Sequence, residues 1–164
     1  MDNSDIFVVV DEFPDYYITQ RGEVVNYTYN RNMTLSPTEH GDLTVGLMRD
    51  GNQHRRSVKV LVARAFVEGE TDIFNTPIQL DGNKNNLHAE NIVWRPRWFA
   101  WKYTVQFNDP RPEWYDDGPI MDIVYAQRYH SVIEASMSNG ILCEDIYESI
   151  HRGSMVFPTG QIFT

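Results

Sequence analysis

The chain has 164 residues, with 14 Lys+Arg against 23 Asp+Glu for a formal charge of −9, and is 41% hydrophobic and 13% aromatic. It carries enough apolar material for a core and is too acidic overall for bulk attraction to a phosphate backbone, so neither disorder nor charge-driven coating of nucleic acid is a reading of the whole chain. No apolar run nears the roughly 20 residues of a membrane helix, Met1-Asp2-Asn3-Ser4-Asp5 lacks the basic start of a signal peptide, and the lone Cys143 excludes a disulfide framework or a thiolate zinc cluster; a soluble intracellular product is expected.

In chain order, Ile6 to Val10 reads as a short buried strand interrupted by Asp11 to Asp15. Tyr16-Tyr17-Ile18-Thr19 and Glu23-Val24-Val25-Asn26, either side of Gln20-Arg21-Gly22, predict a hairpin with a glycine turn. Met33 to Leu35 and Leu43 to Met48 predict a second strand pair, and Asp50-Gly51-Asn52 a turn into Arg55 to Val58. Val58, Leu61, Val62, Ala65 and Phe66 fall at helical spacing up to Glu68-Gly69. Pro77 to Leu80 is strand-like, Asp81 to Asn86 is a turn-rich loop, and Ala89 to Trp94 brings the chain back towards the aromatic stretch Trp98 to Tyr103, which has room for a helix. After the proline-containing linker at 108–119, Ser131 and Glu134 form a capping box for a helix ending at Asn139-Gly140. A second helix from about Cys143 to Arg152, with Gly153 behind it, gives the outline of a helix-turn-helix.

The charge is unevenly spread. Residues 1–53 hold three basic and nine acidic side chains, residues 54–104 eight and five, and residues 105–164 three and nine. A mildly basic centre lies between acidic flanks, each of which a solvated surface would explain.

Three stretches carry a family resemblance. Phe13 to Asn26 is similar to a small nuclease-associated module. Leu61-Val62-Ala63-Arg64-Ala65-Phe66, Asp81-Gly82-Asn83-Lys84-Asn85-Asn86 and Asn91-Ile92-Val93-Trp94 are similar to an HNH core. Tyr129 to Ala135, Ile146 and Arg152-Gly153 are similar to a helical DNA-binding repeat. In this order, over most of its length, the chain resembles a phage-type HNH homing endonuclease. The resemblance implies an α+β fold in three parts: a small antiparallel sheet module over 1–53, a ββα-metal-like (HNH) core over 54–107, and a linker with a small helix-turn-helix-like module over 108–164.

It also implies where the chemistry would be. An HNH reaction uses a divalent metal to stabilise the leaving oxygen, a histidine to activate water and an asparagine to hold that histidine. Carried over, the first metal ligand and the base fall on Ile78 and Gln79, the positioning residue on Asn91 and the second ligand on Ala100. Asn91 alone keeps the family's chemistry, since aliphatic side chains offer a metal nothing and a glutamine amide accepts no proton near neutral pH. The site is expected to be degenerate, with no catalytic residue and no cofactor; Mg or Mn would enter only if the chain is an active nuclease, for instance through a site relocated to His88 and Asp81. Cys143 is read as structural, because Glu144 and Asp145 beside it oppose a thiolate.

Without cutting, such a scaffold could still bind DNA. Arg55, Arg56 and Lys59, with Lys84, Arg95, Arg97 and Lys102, are the candidate phosphate contacts. The helix that would read a groove is nevertheless Cys143-Glu144-Asp145-Ile146-Tyr147-Glu148-Ser149-Ile150-His151-Arg152, three carboxylates against one arginine. The favoured expectation is an inactive HNH-fold protein used as a structural or protein-binding subunit, with other virion proteins or further copies of itself as partners, in the host cytoplasm or the virion. Trp98, Trp101, Trp114 and Tyr115, with Tyr125 and Tyr129, are the candidate protein-interface residues. The alternative is a DNA-binding protein or a metal-dependent HNH homing endonuclease.

Overall fold

Short runs of β-branched and aromatic residues separated by turn residues produce a chain of small hairpins. The computed structural model describes residues 5–164; Met1 to Ser4, read above as no signal-peptide start, lie outside the described residues. The chain divides into two compact units, one running to Gln79 and resuming over Asn83–Arg97, the other comprising Leu80–Gly82 and Trp98–Thr164.

In the first unit, β1 (Phe7–Val10), β2 (Phe13–Thr19), β3 (Val24–Asn26) and β4 (Arg31–Asn32) form an antiparallel sheet in sequence order. The β2–β3 hairpin falls where the sequence places it, with Tyr17 opposite Val25. Its turn is held by the Thr19 hydroxyl, which accepts from the backbone N–H of Arg21 at 3.3 Å and of Glu23 at 3.1 Å. Gly22 has φ +84°, and a Cβ there would lie 2.5 Å from the Cβ of Leu87, so this turn requires glycine for both conformation and space.

Met33 to Leu35 is not the predicted strand. Its first residue donates its backbone N–H to Val24 O at 2.7 Å, and the segment then crosses to a second sheet, with Met33 and Leu35 packed against the core. That sheet is β5 (Ser36–Pro37), β6 (Leu43–Arg49) and β7 (Asn52–Ser57), in this order. Asp50 and Gly51, both at positive φ, close the β6–β7 hairpin.

Helix α1 (Val58–Phe66) buries Val58 and Val62 from the predicted face and Ala63 beside it, while the other predicted positions, Leu61, Ala65 and Phe66, are partly buried against the same core. It packs against β2, β6 and the antiparallel pair β8 (Thr76–Gln79) and β9 (Ile92–Arg95), in which Ile78 faces Val93. A 3₁₀ turn, Ala89–Asn91, leads into β9. The unit's core joins Phe13, Tyr16 and Ile18 from β2 to Val45, Leu47, Val62 and Trp94. Two polar tips are satisfied inside it: the Tyr16 hydroxyl accepts from Met48 N at 3.0 Å, and the Trp94 indole N–H donates to Val67 O at 2.9 Å.

Helix α2 (Arg97–Val105) starts at the boundary and continues in the second unit. There, after a 3₁₀ turn at Glu113–Asp116, β10 (Ile120–Asp122) pairs with β11 (Gln127–Tyr129), followed by α3 (Val132–Asn139) and α4 (Cys143–Arg152). The Ser131 hydroxyl caps α3 by accepting from Glu134 N at 3.3 Å, and Gly140 and Gly153 end the two helices in the left-handed conformation. The returning half of the capping box lands one residue earlier than expected: the Glu134 carboxylate accepts from the N–H of His130, and from its ring at 2.9 Å.

Around a core that includes Val132, Ala135, Ile141 and Ile146, buried polar groups stitch distant segments together. The Ser136 hydroxyl accepts from Gln106 Nε2 at 2.9 Å and donates to Ile141 O at 2.5 Å, and Gln106 Oε1 accepts the first helical N–H of α4, that of Cys143, at 3.0 Å. The chain end completes the β10 edge: Met121 and Thr164 exchange backbone hydrogen bonds at 3.0 and 2.9 Å, Gln161 Nε2 donates to Asp122 Oδ2 at 2.7 Å, and Phe163 is fully buried. Among the described residues no helix is long and apolar enough to cross a membrane.

Replacing Gly22 with alanine is expected to destabilise the first unit by about 2 kcal/mol, combining the positive-φ penalty with the overlap on Leu87. Urea unfolding followed by tryptophan fluorescence measures it.

Candidate active site

The β8, β9 and α2 segments are where the sequence places a two-strand-and-helix metal core, and the side chains at the four carried-over positions are all defined. Ile78 is 2% exposed, in the middle of β8. Gln79 follows at the strand end, buried, and its Nε2 donates to Lys84 O at 3.1 Å and Asn86 O at 3.0 Å. Asn91, in the 3₁₀ turn before β9, also donates to Asn86 O, at 3.0 Å. Ala100 is buried on α2, in the second unit.

These residues do not fit a divalent ion. Ile78 and Ala100 bring only carbon to it, and Gln79, whose Nε2 is held by two backbone carbonyls, brings one neutral amide oxygen and no anionic charge. Hydrogen bonds from Asn86 N to Asn83 O and from Asn85 N to Asn83 Oδ1, both at 3.0 Å, further close the 83–86 segment that Gln79 holds. Among the described residues there is no group of three or more His, Cys, Asp or Glu that could hold a metal.

The relocated site is not assembled within the first unit. His88 is the N-cap of the 3₁₀ turn, its Nδ1 accepting from Glu90 N at 3.3 Å, so the ring nitrogen that faces the backbone already has a structural partner. Asp81 belongs to the other unit's segment Leu80–Gly82. Cys143 is buried at the start of α4, and burial pushes its thiol up to about 11, which keeps it protonated and unreactive.

The candidate phosphate contacts are largely engaged within the fold. Lys59 and Lys84 lie 3.5 and 3.6 Å from the Asp42 carboxylate, and Lys84 Nζ also donates to His40 O. Arg56 lies over the Phe13 ring, 5.1 Å from its centroid, and 3.9 Å from Glu12. Arg55 donates to Thr44 Oγ1 at 3.0 Å and Arg95 to Trp94 O at 2.8 Å, while Arg97 and Lys102 are exposed. The Asp42 bridge between two lysines had no sequence signal, because its members lie in a loop, in helix α1 and in a distant turn.

On α4 the exposed face is Glu144, Tyr147, Glu148, His151 and Arg152, and Glu148 accepts from the arginine at 2.8 Å. Asp145 is half-buried, and burial, then the neighbouring Glu144, raise its carboxyl against the opposing pull of Lys102. A helix with this face repels a phosphate backbone. Of the candidate interface aromatics, Trp98 and Trp101 are 57% and 69% exposed and Tyr125 is exposed as well. Trp114 is half-buried between the rings of Tyr115 and Tyr147. Tyr115 and Tyr129 are corrected: both belong to the second unit's core, and burial raises the Tyr115 hydroxyl above its usual range.

No family model matches the chain. It is 31% identical over 85 residues to an uncharacterized HNH endonuclease, L247, of Acanthamoeba polyphaga mimivirus; the match covers 51% of this chain and 21% of that protein, so the chain spans about a fifth of that relative's length. Its fold matches that of the HNH homing endonuclease I-HmuI, described for its binding and cleavage of DNA, with a TM-score of 0.57 and 19% identity over 96% of each chain. The chain is thus HNH-endonuclease-like, with a mixed α+β fold of small antiparallel sheets and, among the described residues, four α-helices.

Two outcomes follow from the side chains. Gln79→Ala removes a donor from Lys84 O and one of the two side-chain donors to Asn86 O, the other being Asn91, and is expected to cost about 2 kcal/mol, with faster amide exchange over 83–88. Asp145→Asn removes a carboxylate whose pKa is raised on folding. Such a group penalises the folded state above its folded pKa and not below its unfolded one. The variant is therefore expected to be more stable than the parent near neutral pH and equal to it below the carboxylate range, as thermal unfolding across pH would show.

Proposed function

We propose that this HNH-endonuclease-like chain is a catalytically inactive member of its fold class, kept as a structural or protein-binding subunit. The observation that carries the reading is Gln79: at the position carried over as the general base stands a buried amide that donates to two loop carbonyls. A base must accept a proton from water; this group is a donor, and it is turned towards its own loop. Aliphatic Ile78 and Ala100 at the ligand positions support the same conclusion. The acidic outer face of α4 and the internal engagement of most central cations favour protein over DNA as the partner. By analogy with the phage-type resemblance, the assembly is a virion, with the chain as a decoration or collar component.

A second reading has one observation in its favour. The fold likeness runs along nearly the whole of I-HmuI, a protein that binds and cleaves DNA. On that reading the exposed Arg97 and Lys102 and a rearranged Arg55 would contact phosphates.

Supercoiled plasmid incubated with the protein and Mg²⁺ or Mn²⁺ is expected to remain un-nicked. Nicking that Asn91→Ala or His88→Ala abolishes would overturn the inactive reading. In gel-shift titrations, any complex with DNA is expected to be lost by physiological salt; one that persists there, with a steep linear dependence of log K on log salt, would favour the DNA-binding reading.

A further inference from the structure

The second unit carries an apolar projection and an apolar recess, both open to solvent. The projection is the β10–β11 turn, where Ile123, Val124 and Tyr125 are 55%, 48% and 67% exposed. The buried Asp122 holds it: Oδ1 accepts from Val124 N at 2.9 Å and Tyr125 N at 3.4 Å, and Oδ2 from Gln161 Nε2. A tip held in this way loses little freedom on docking. Residues 105–164 hold nine acidic side chains against three basic. Yet from Pro119 to Arg128, and over Gln161 to Thr164 beside β10, the charged side chains are Asp122 and Arg128 alone. Arg128 is exposed, stands opposite Met121 and has no carboxylate partner among the described residues. The recess is a groove of about 250 Å³ lined by Trp101 and Val105 of α2, by Tyr115 and by Leu142. It is smaller than the roughly 300–1,000 Å³ of a small-molecule pocket and suits the side chains of a loop tip. Gln106 fixes its floor through bonds to Ser136 and to Cys143 N. Lys102 and the exposed, unpaired Glu144 line it as well, and Asp145 lies close enough to act on both, so its mouth carries two carboxylates against one lysine.

We infer that this groove takes the β10–β11 tip of a second copy of the chain, head to tail, with Val124 and Tyr125 against Trp101, Val105 and Leu142 and with Arg128 meeting Glu144. The inference rests on the protein-binding reading and names the partner as another copy. One chain supplies both halves: an apolar tip beside a free cation, and an apolar groove with an acidic mouth. Tip and groove are both exposed, so the tip does not fill its own groove. An anionic lipid surface is a poorer occupant for the tip, since it would attract one arginine and repel the carboxylates of the same unit. Because tip and groove are different surfaces, the contact is heterologous: each copy keeps a tip free at one end and a groove at the other, and the contact repeats into a ring or an open chain. A contact of a few side chains falls well short of the roughly 800 Å² per partner of a stable pair, so it is weak singly and gains strength by repetition.

Sedimentation velocity on the full chain is expected to show association that grows between about 10 μM and 1 mM. Val124→Asp in the tip and Trp101→Ala at the groove wall, both at exposed positions and both checked for folding by circular dichroism, are each expected to stay monomeric alone. Mixed in equal amounts they are expected to form a dimer and nothing larger, because the first keeps an intact groove and the second an intact tip. Arg128→Glu is expected to weaken association about tenfold, and the addition of Glu144→Arg to restore it. A parent chain that stays monomeric over the whole range, or a mixture that does not associate, overturns the assignment. Association that Val124→Asp abolishes and Trp101→Ala leaves intact overturns it in favour of tip against tip. The two readings fail separately: if the chain stays monomeric while it neither nicks nor retains DNA, the tip-in-groove assignment falls and the protein-binding reading stands, whereas metal-dependent nicking removes that reading whether or not the copies associate.

Discussion

One carbonyl organises the turn between β8 and β9. Asn86 O accepts from Gln79 Nε2 and from Asn91 Nδ2, each at 3.0 Å, so the residues carried over as base and positioner converge on the same oxygen of their own loop. An acceptor shared by two amide donors inside a partly buried site is satisfied locally and fixes the backbone between β8 and β9. The order of this loop comes from uncharged side-chain amides donating to backbone carbonyls.

The same substitution of internal partners for external ones recurs among the cations. Asp42 takes up both Lys59 and Lys84, and the Phe13 ring with Glu12 takes up Arg56. Exposed ion pairs of this kind add little stability. Their effect is on availability, since a lysine held by a carboxylate must lose that partner before it meets a phosphate. The basic centre is therefore less basic in action than in composition, and on α4 the one arginine pairs with Glu148, leaving Glu144 and Asp145 in excess.

What the sequence discloses follows the range of the interactions. The β2–β3 hairpin, α1, the α3 cap and the glycine ends of α3 and α4 were legible because each is encoded within a few residues by periodicity, a turn glycine or a capping side chain. That Ile78 and Ala100 offer no ligand atom is legible for the same reason: it is a matter of residue type. Met33 to Leu35 was misread because a short alternating run serves equally as a strand or as a crossing whose apolar side chains drop into the core. The burial of Tyr115 and Tyr129 was hidden because an aromatic ring carries the same pattern at a surface and in a core. Gln79 could be seen to be no base, but its two acceptors lie five and seven residues away in a loop whose path composition does not specify.

The pairing of Thr164 with Met121 and the burial of Phe163 bear on the order in which the molecule is made. The first unit has all its residues once Arg97 has been synthesised, whereas the second lacks an edge and part of its core until Gln161 reaches Asp122, 39 positions earlier in the chain. Synthesis from the N-terminus thus lets the first unit close early, while helices α3 and α4 wait with an apolar face uncovered. For the length of that interval the second unit depends on whatever surrounds the nascent chain, and the aromatic-rich α2 is the element that emerges just ahead of it.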